Sequence, residues 1–398
     1  MEEILAPKSN YLKGKLVVLG ITGSVACVRA FDLARELVRR GAGVQVVASK
    51  AALEMTGEKL LEFASGKKVI SEITGKIEHV KFFGGKGKAD LLLIAPATAN
   101  TISKIAMGID DSPVATFATI AIGKGVPVLI APAMHQPMYD HPIVKDNLRK
   151  LESMNRVKII APLLSEEKAK LAEIETICLE AERALTKQSL AGKKVVVASG
   201  RTEEEIDATK VLATKSSGKT GLELAREAYR RGAQVTLLHN TGVVEACITS
   251  FTFSSAPGLE KKVLAELSSG CGIFLCPAAI SDFSVKKFSG KLDSSKKVSI
   301  ELVPQKKLLE KVRQKFPKLT IVGFKALAGA GEKELAQKAK ELLERHSLQL
   351  VVANDVAKNP VGSGETSVVL VSKQKIVAVK GGKSFIASRV FDELEKLG

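Results

Sequence analysis

The sequence predicts an α/β protein made of two doubly wound, Rossmann-like domains, each with a parallel sheet covered by helices on both faces. Three observations predict this fold. Short apolar runs alternate with amphipathic helical segments along the chain, which is typical of parallel sheets. The order of strand, glycine turn and helix begins twice, near residue 15 and near residue 190. The length of 398 residues also exceeds that of one ordinary domain.

The first half begins with the apolar run KLVVLGITGS, which predicts a buried strand that ends in a glycine turn. Apolar residues at helical spacing follow, and RRGAG ends this helix. VQVVAS, ADLLLIAPATANT and GVPVLIAPAM predict three further strands, the last two of which run directly into polar loops. Ligands of such sheets lie beyond the carboxyl ends of the strands, so we expect a site at these loops.

The second half repeats the pattern from KKVVVASGRTEEEID onward. TGLELAREAYRRGAQVTLLHN parallels the earlier RAFDLARELVRRGAGVQVVAS, helix for helix and strand for strand. GCGIFLCPAAISDF, LTIVGFKAL and LQLVVANDVAK predict three more strands. We place the boundary in the charged stretch of residues 165–190, which is typical of a helix, and assign residues 1–188 and 189–398 to the two domains.

The composition favours small-molecule substrates over nucleic acid or membrane. The net charge is +17, but Lys and Arg are interspersed with Glu, and aromatic residues make up only 4%. Stacking platforms for bases are therefore scarce, whereas a basic surface suits phosphorylated small molecules. No apolar run reaches the roughly 18–20 residues of a membrane span, and the first residues lack the apolar core of a signal peptide. We expect a cytoplasmic protein.

The five cysteines predict neither a disulfide framework nor a zinc site. They contain no CxxC pair, and their spacing does not fit a structural metal. Cys271 and Cys276 flank the apolar run GIFL, so we interpret them as small core side chains in a reducing compartment.

Several loops of the first half carry groups that suit a phosphate or a planar ring. In GITGS a strand ends and a helix begins, so the backbone N–H groups after Gly23 can hold a phosphate. The same residues also fit an ordinary tight turn. The pattern GxGxxG is missing, which argues against the alternative of an NAD(P)-dependent Rossmann enzyme, and the absence of G-x-x-x-x-G-K-[ST] excludes a P-loop.

The motifs LGITGSVA, APATANTISKIAMG and APAMHQPMY, in this order, resemble the flavin-binding cysteine decarboxylases. In the second half, SGRTEEEID, KSSGKTG, PAAISDF and ANDVA resemble the phosphopantothenate–cysteine ligases. Joined in this order, they resemble the bifunctional family of coenzyme A biosynthesis over nearly the whole chain. The resemblance implies a flavodoxin-like flavoprotein domain followed by a ligase domain.

The resemblance implies two reactions. The ligase domain activates 4'-phosphopantothenate with a nucleotide, usually CTP (ATP is possible), and Mg²⁺, and couples it to cysteine. The flavoprotein domain then uses FMN to decarboxylate the product to 4'-phosphopantetheine. It also implies a homo-oligomer with trimers of the first domain and dimers of the second, which together give a dodecamer. The alternative is an FMN- or nucleotide-binding member of the family with only one active half.

The resemblance assigns FMN contacts and substrate contacts in the first half. The catalytic histidine of the family, which takes a proton from the substrate, corresponds to His79, and Met134 and Tyr139 fall in the substrate motif. The FMN contacts fall on Gly23, Ser24, Ser49, Pro96, Ala97, Thr98, Asn100, Thr101 and Ser112.

Two departures from the family occur in the first half. The motif PAMNxxMW appears with His135 in place of the Asn that holds the substrate carboxylate, and with Tyr139 in place of Trp. A histidine can still donate a hydrogen bond to a carboxylate. The flap motif ACGDxGxGRM corresponds to APLLSEEKAKLAEIETI, which has no cysteine. The last, reductive step therefore lacks its expected proton donor, since the helical pattern around Cys178 predicts a core residue.

The resemblance also assigns the nucleotide and substrate contacts of the second half. Lys291 corresponds to the catalytic lysine that neutralises charge on the transferred phosphates, and Asp282 is the candidate Mg²⁺ ligand. Thr214 replaces an Asn of the family, and LVPQKKL replaces VKNPDI, so the loop that reads the base differs. The contacts fall on Thr214, Ser216, Ser217, Gly218, Lys219, Ala279, Asp282, Phe324, Lys338 and Asn354.

Overall fold

The structure is a computed structural model that describes residues 8–240, 242, 244–295, 297–358 and 364–397. Its contacts divide the chain into two compact units with a boundary between Lys187 and Gln188. Each unit contains its own central sheet. No helix among the described residues has the length and apolar character needed to cross a bilayer.

The first unit contains eight strands and nine α-helices among its described residues. The strands are β1 (Leu16–Ile21), β2 (Gly43–Ala48), β3 (Leu91–Ala97), β4 (Val128–Pro132), β5 (Met134–His135), β6 (Val157–Ile159), β7 (Leu163–Ser165) and β8 (Lys168–Lys170). The helices are α1 (Ala30–Arg39), α2 (Lys50–Thr56), α3 (Glu58–Ser65), α4 (Glu78–Phe83), α5 (Ala99–Met107), α6 (Pro113–Lys124), α7 (Gln136–Asp140), α8 (Pro142–Glu152) and α9 (Ile174–Leu185). A 3₁₀ helix (Val25–Arg29) precedes α1.

A five-stranded parallel sheet with the order β2-β1-β3-β4-β6 forms the centre of this unit. When these five strands are renumbered 1 to 5 in chain order, the sheet has the flavodoxin-like order 2-1-3-4-5. Both β1 and β3 are apolar and almost fully buried along their length, as expected of strands that helices cover on both faces. The order reverses between β1 and β3, so a crevice opens beyond their carboxyl ends.

Residues 163–170 form a β-hairpin, so the prediction of a continuous charged helix between residues 165 and 190 is wrong at its start. Strands β7 and β8 pair antiparallel, and β8 also pairs with β5. Glu166 and Glu167 form the turn with φ values of 54° and 55°, which matches the two-residue turn that suits the twist of a hairpin. The pairing with Met134 and His135 is a tertiary contact, and it overrides the helical pattern of the local charges.

Helix α9 packs into the core of the first unit. Cys178 is fully buried there, which confirms its interpretation as a core residue, and burial raises the pKa of its thiol. Of the other cysteines, Cys276 is buried as predicted, whereas Cys271 is only partly buried. The cysteines are free thiols.

A buried ion pair connects α1 to α9. Arg40 donates to Glu182 at 2.7 Å, and their side chains are only 4% and 0% exposed. Arg40 also donates to Glu175 at 2.7 Å. Although burial works in the opposite direction, Arg40 and Lys8 lower the pKa of Glu175 to about 2. Glu175 is therefore ionised at neutral pH, and the contacts of Arg40 with Glu175 and Glu182 hold the two helices together.

The second unit contains twelve strands and five α-helices among its described residues. The strands are β9 (Lys194–Ala198), β10 (Glu203–Glu205), β11 (Val211–Ala213), β12 (Gln234–His239), β13 (Thr249–Thr252), β14 (Ile273–Cys276), β15 (Phe283–Val285), β16 (Leu302–Pro304), β17 (Thr320–Leu327), β18 (Leu350–Asp355), β19 (Glu365–Val371) and β20 (Ile376–Gly382). The helices are α10 (Lys219–Arg230), α11 (Ala256–Ser268), α12 (Leu308–Lys315), α13 (Glu332–Arg345) and α14 (Lys383–Leu397).

Its main sheet has the order β13-β12-β9-β14-β17-β18-β19-β20. The first six strands are parallel and have the order 3-2-1-4-5-6 of a dinucleotide-binding Rossmann sheet. The predicted doubly wound fold is thus confirmed in both units. Strands β19 and β20 add an antiparallel edge, which the sequence patterns did not predict. The order reverses between β9 and β14.

We predict that Glu182→Gln destabilises the first unit by about 3 kcal/mol, because a buried guanidinium loses a charged partner. The free energy of unfolding in urea measures this loss. Glu166→Gln is the matched control, since Glu166 forms an exposed pair with Lys170, and such pairs contribute about 0–1 kcal/mol. Equal losses in the two variants would contradict a structural role for the Arg40–Glu182 pair.

Candidate active sites

A cavity of about 560 Å³ lies at the reversal point of the first sheet, between the loops that follow β1 and β3. The 3₁₀ helix, strand β5 and hairpin strand β8 complete its walls, and its size is typical of small-molecule sites. Five of the residues predicted from the sequence line it: Gly23, Ser24, Thr98, Met134 and His135.

The turn after β1 requires glycine at position 23. A Cβ atom on Gly23 would lie 2.5 Å from the Cβ of Ala51, closer than side-chain carbons approach. Ser24 follows and accepts a hydrogen bond from the N–H of Ala26 at 3.4 Å, which starts the 3₁₀ helix. Gly23 thus allows the turn to pack closely against helix α2 at the edge of the cavity.

Thr22, which was not among the predicted site residues, connects the two loops that flank the cavity. Its hydroxyl donates to the carbonyl of Pro96 at 2.8 Å and accepts from the N–H of Thr98 at 3.0 Å. The side chain is buried. A hydroxyl residue directly after the first apolar strand was the available signal. These two hydrogen bonds set the distance between the GITGS and APATANT loops.

The other predicted FMN contacts do not line this cavity. Ser49 and Ser112 cap helices α2 and α6, where their hydroxyls accept backbone hydrogen bonds. Thr101 is buried and bonded to the hydroxyl of Thr98 at 3.2 Å. Asn100 is exposed at the start of α5, and Pro96 and Ala97 belong to the end of β3. For these residues the FMN assignment stays a prediction.

The hairpin brings two lysines to the cavity beside His135. His135 lies opposite Lys168 in the β5–β8 pair, so their Cβ atoms are about 4.5–5.5 Å apart. Lys168, Lys170 and Arg29 line the cavity, and none of them was predicted as a site residue. Lys170 pairs with Glu166 at 2.7 Å and Arg29 with Glu173 at 2.9 Å. This wall therefore carries three basic side chains, two of which are paired with a carboxylate.

His79 and Tyr139 are not among the residues that line the cavity. His79 lies on α4, and its Nδ1 is buried without a hydrogen-bond partner among the described residues. Tyr139 packs against the core on the opposite side of the sheet from α9, and burial raises the pKa of its hydroxyl. Tyr139 lies on helix α7, which His135 precedes directly, but neither Tyr139 nor His79 contributes to the cavity wall of its own unit.

The second unit has a cavity of about 170 Å³ at its own reversal point, beyond β9 and β14. Six predicted residues line it: Ser216, Ser217, Gly218, Lys219, Ala279 and Asn354. Gly218 has a φ of 69° directly before helix α10, and Ser199 donates to its carbonyl at 2.9 Å. Lys215, the first residue of the KSSGKTG motif, also lines the cavity but was not among the predicted contacts. Ser199, Thr366 and Lys383 line it as well, and they come from segments outside this motif.

A second cavity of this unit, about 390 Å³, lies between α11 and α12. Gln305 and Lys306 of the LVPQKKL segment line it together with Ser281. The side-chain nitrogen of Gln305 is buried and has no hydrogen-bond partner among the described residues. Asp282 follows Ser281 and forms an exposed ion pair with Lys307.

Four other predicted residues also lie outside the smaller cavity. Thr214 and Lys291 are exposed, and Phe324 is half-buried on β17. Lys338 pairs with Glu341 on the exposed face of α13 at 3.0 Å. The described residues contain no cluster of three or more His, Cys, Asp or Glu side chains that could hold a metal ion. The assignments of these residues, and of Asp282, stay predictions.

The loop that carries Lys291 is held by a buried aspartate. The carboxylate of Asp207 accepts hydrogen bonds from the N–H groups of Thr209, Lys210 and Leu292 at 2.7–2.9 Å. The N–H of Ala208 also donates to the carbonyl of Gly290 at 3.0 Å. These bonds lower the pKa of Asp207, so it is ionised at neutral pH. Both neighbours of Lys291 are therefore attached to the β10–β11 turn.

Comparisons with known proteins identify both halves. The flavoprotein family model matches residues 5–184, and the model of the DNA/pantothenate metabolism flavoprotein C-terminal domain matches residues 190–397. The Coenzyme A biosynthesis bifunctional protein CoaBC of Thermococcus kodakarensis is 43% identical over 399 residues, which cover 99% of this chain and 98% of that protein. The chain belongs to the CoaBC family.

Two further members support this assignment. The CoaBC protein of Methanocaldococcus jannaschii is 35% identical over 392 residues, which cover 98% of this chain and 96% of that protein. The CoaBC protein of Borreliella burgdorferi is 31% identical over 386 residues, which cover 92% of this chain and 94% of that protein. A flavoprotein half and a ligase half of coenzyme A biosynthesis are thus confirmed, as the motifs indicate.

We predict that Gly23→Ala weakens flavin binding by at least about tenfold, since overpacking at this contact costs about 1–3 kcal/mol. The measurement is the visible absorbance of bound flavin per protein chain. Gly85→Ala is the control, because a Cβ atom there meets nothing within 4 Å. If Gly23→Ala retains flavin as well as the control does, the turn after β1 does not contact the cofactor.

Proposed function

We propose that the ligase half joins 4'-phosphopantothenate to cysteine with CTP and Mg²⁺, and that the flavoprotein half decarboxylates the product with FMN to give 4'-phosphopantetheine. The observation that carries this proposal is the presence of one cavity at each reversal point. Five residues that the family motifs assign to ligands line the first cavity, and six line the second. The substrates are small molecules.

The cavity of the first unit fits the cofactor of a flavoprotein. The bare turn at Gly23 offers backbone N–H groups to a phosphate, and Met134 and Met138 supply apolar surface for a ring. When bound, FMN supplies the reversible oxidation that decarboxylation of a thiol substrate needs. Thr22 maintains the spacing of the loops on either side of it.

His135 and the hairpin lysines bind the carboxylate of the substrate. His135 is exposed toward the cavity and lies beside Lys168, so an imidazole and an ammonium group meet a carboxylate at one wall. A carboxylate that leaves as carbon dioxide must first be held in place, and this wall positions it.

His79 takes the proton from the substrate. Its buried Nδ1 lacks a partner among the described residues, although it does not line the cavity of its own unit. The proposed trimer of this half, with FMN near a subunit boundary, allows His79 of one copy to reach the cavity of another. Dimers of the ligase half then join these trimers into a dodecamer.

The ligase half divides its substrates between two cavities. The cradle of Ser216, Ser217, Gly218 and Lys219 holds phosphate oxygens at the start of α10. The larger cavity takes the nucleotide base, because the unpaired amide of Gln305 offers it a hydrogen bond. Asp282 binds Mg²⁺ after release from Lys307, and Lys291 neutralises charge on the transferred phosphates.

The second candidate function is that of a ligase whose flavoprotein half decarboxylates the product slowly or not at all. The observation that favours it is the hairpin of residues 163–170, which occupies the place of the family's flap and contains no cysteine. Ligation does not depend on this hairpin, so the ligase half would remain active.

Purified protein mixed with 4'-phosphopantothenate, cysteine, Mg²⁺ and either CTP or ATP tests the proposal directly. We expect a flavin spectrum, release of pyrophosphate with CTP in preference to ATP, and 4'-phosphopantetheine as the product. Accumulation of 4'-phosphopantothenoylcysteine would favour the second candidate. A protein without flavin and without pyrophosphate release would contradict the proposal.

We predict that His79→Asn abolishes decarboxylation and leaves ligation unchanged, because Asn cannot accept the substrate proton at neutral pH. Carbon dioxide release and pyrophosphate release measure the two reactions on the same sample. His141→Asn is the control, since His141 is an exposed residue that caps α8. Decarboxylation that survives His79→Asn would remove His79 from the mechanism.

We predict that Lys291→Gln lowers the ligation rate by about a hundredfold, within the range for loss of one group that stabilises a transition state. Asp207→Asn should lower it less, by about tenfold, because the lysine remains but its loop loses a charged anchor. The rate of pyrophosphate release with CTP measures both. Unchanged ligation in Lys291→Gln would mean that another lysine performs this role.

A further inference from the structure

Two long helices begin side by side at the smaller cavity of the second unit. Helix α10 begins at Lys219 and helix α14 at Lys383, and both lysines line the cavity. The helices contain 12 and 15 residues, so each has a macrodipole whose positive end lies at the cavity. Two ammonium groups and two helix ends therefore raise the positive potential in one small space.

Contacts at the other end of the helices fix this arrangement. Arg231 follows α10 directly, and its guanidinium donates to Asp392 and Glu395 of α14, both at 2.7 Å. It also lies over the ring of Phe391 at 5.8 Å. Because the carboxyl ends are attached to each other, α10 and α14 run parallel and their first residues stay at a set separation.

Several positive charges close together are unfavourable when no anion is bound to the protein. A cation at a helix N-terminus is less stable than a neutral residue there, because it meets the positive end of the helix dipole. Burial lowers the pKa of Lys383, and the nearby Lys219 lowers it further, whereas Glu223 raises it. Lys215 adds a third ammonium group, and no Asp or Glu is among the described residues that line the cavity. An anionic ligand removes this cost.

Neutral donors complete the cavity. The hydroxyls of Ser216, Ser217 and Thr366 and the amide of Asn354 line it, and phosphate oxygens accept several hydrogen bonds at once. Its volume of about 170 Å³ is below the roughly 300–1,000 Å³ of cavities that enclose whole small-molecule ligands. It therefore suits one phosphate group of a larger substrate.

We propose that Lys383 binds a phosphate group of a ligase substrate together with Lys219, and that the adjoining starts of α10 and α14 form this phosphate site. This inference rests on the proposed function, since it concerns the substrates of the ligase reaction. Two phosphates have the required chemistry: the 4'-phosphate of phosphopantothenate and the triphosphate of the nucleotide. Lys383 lies outside the motifs of the second half, so its place in the site is visible only in the fold.

The test uses the full chain with Lys383→Gln, Lys383→Arg and the matched control Lys380→Gln. Lys380 is exposed on β20, three residues before Lys383, and does not line the cavity. We expect Lys383→Gln to raise the KM of one substrate by about tenfold or more, the effect of losing one charged hydrogen bond. Lys383→Arg should retain most of the affinity, and Lys380→Gln should match the original protein.

The substrate whose KM rises identifies the bound phosphate. Unchanged KM values for both substrates in Lys383→Gln, or a fall in kcat alone, would overturn the inference while the proposed function stands. Absence of ligation by the original protein would instead overturn the proposed function.

Calorimetry provides an independent test. It measures the affinity of the original protein and of Lys383→Gln for four ligands: 4'-phosphopantothenate, pantothenate, CTP and cytidine. The original protein should prefer a phosphorylated ligand to its unphosphorylated partner, and Lys383→Gln should lose that preference. An equal preference in both proteins would overturn the inference.

Discussion

Parallel pairing of the central strands is the constraint on which both halves of the chain depend. Each parallel pair needs a crossover connection, so successive strands point the same way and their carboxyl ends meet at one edge of the sheet. Where the strand order reverses, the connections leave to opposite faces and a crevice remains. This happens between β1 and β3 and again between β9 and β14. The cavities of about 560 and 170 Å³ lie at these two points.

A glycine beside each crevice allows neighbouring segments of the chain to pack closely there. Gly23 allows the turn after β1 to pack against Ala51. In the second unit, a Cβ atom on Gly221 would lie 2.2 Å from the hydroxyl oxygen of Ser199, so helix α10 begins directly against the end of β9. Small residues at these positions bring helix N-termini to the sheet edge, where their N–H groups attract anions. The same constraint thus explains the shape of both sites, whereas their charge comes from lysine and arginine side chains.

Residues next to one another in sequence were predicted best. Most strands of the two parallel sheets, the positions of the reversal-point cavities and the lining residues Gly23, Thr98, Ser217 and Lys219 follow from local motifs. A strand end, its loop and the next helix are contiguous in the sequence. The hairpin of residues 163–170 was not predicted, since its alternating lysines and alanine fit a helix equally well. Only the pairing with Met134 and His135 selects the strand.

The sequence by itself determined the doubly wound fold, the family and the motif loops. Buried strands, the spacing of apolar residues in helices and glycine turns each depend on residues that are close together in the sequence. The tertiary structure decided which distant side chains share a cavity. Thr22 meets Pro96 and Lys219 meets Lys383 only because parallel strands and helices bring remote segments to one edge. It also left His79 outside the cavity of its own unit. Such distances depend on packing between elements, which local patterns do not encode.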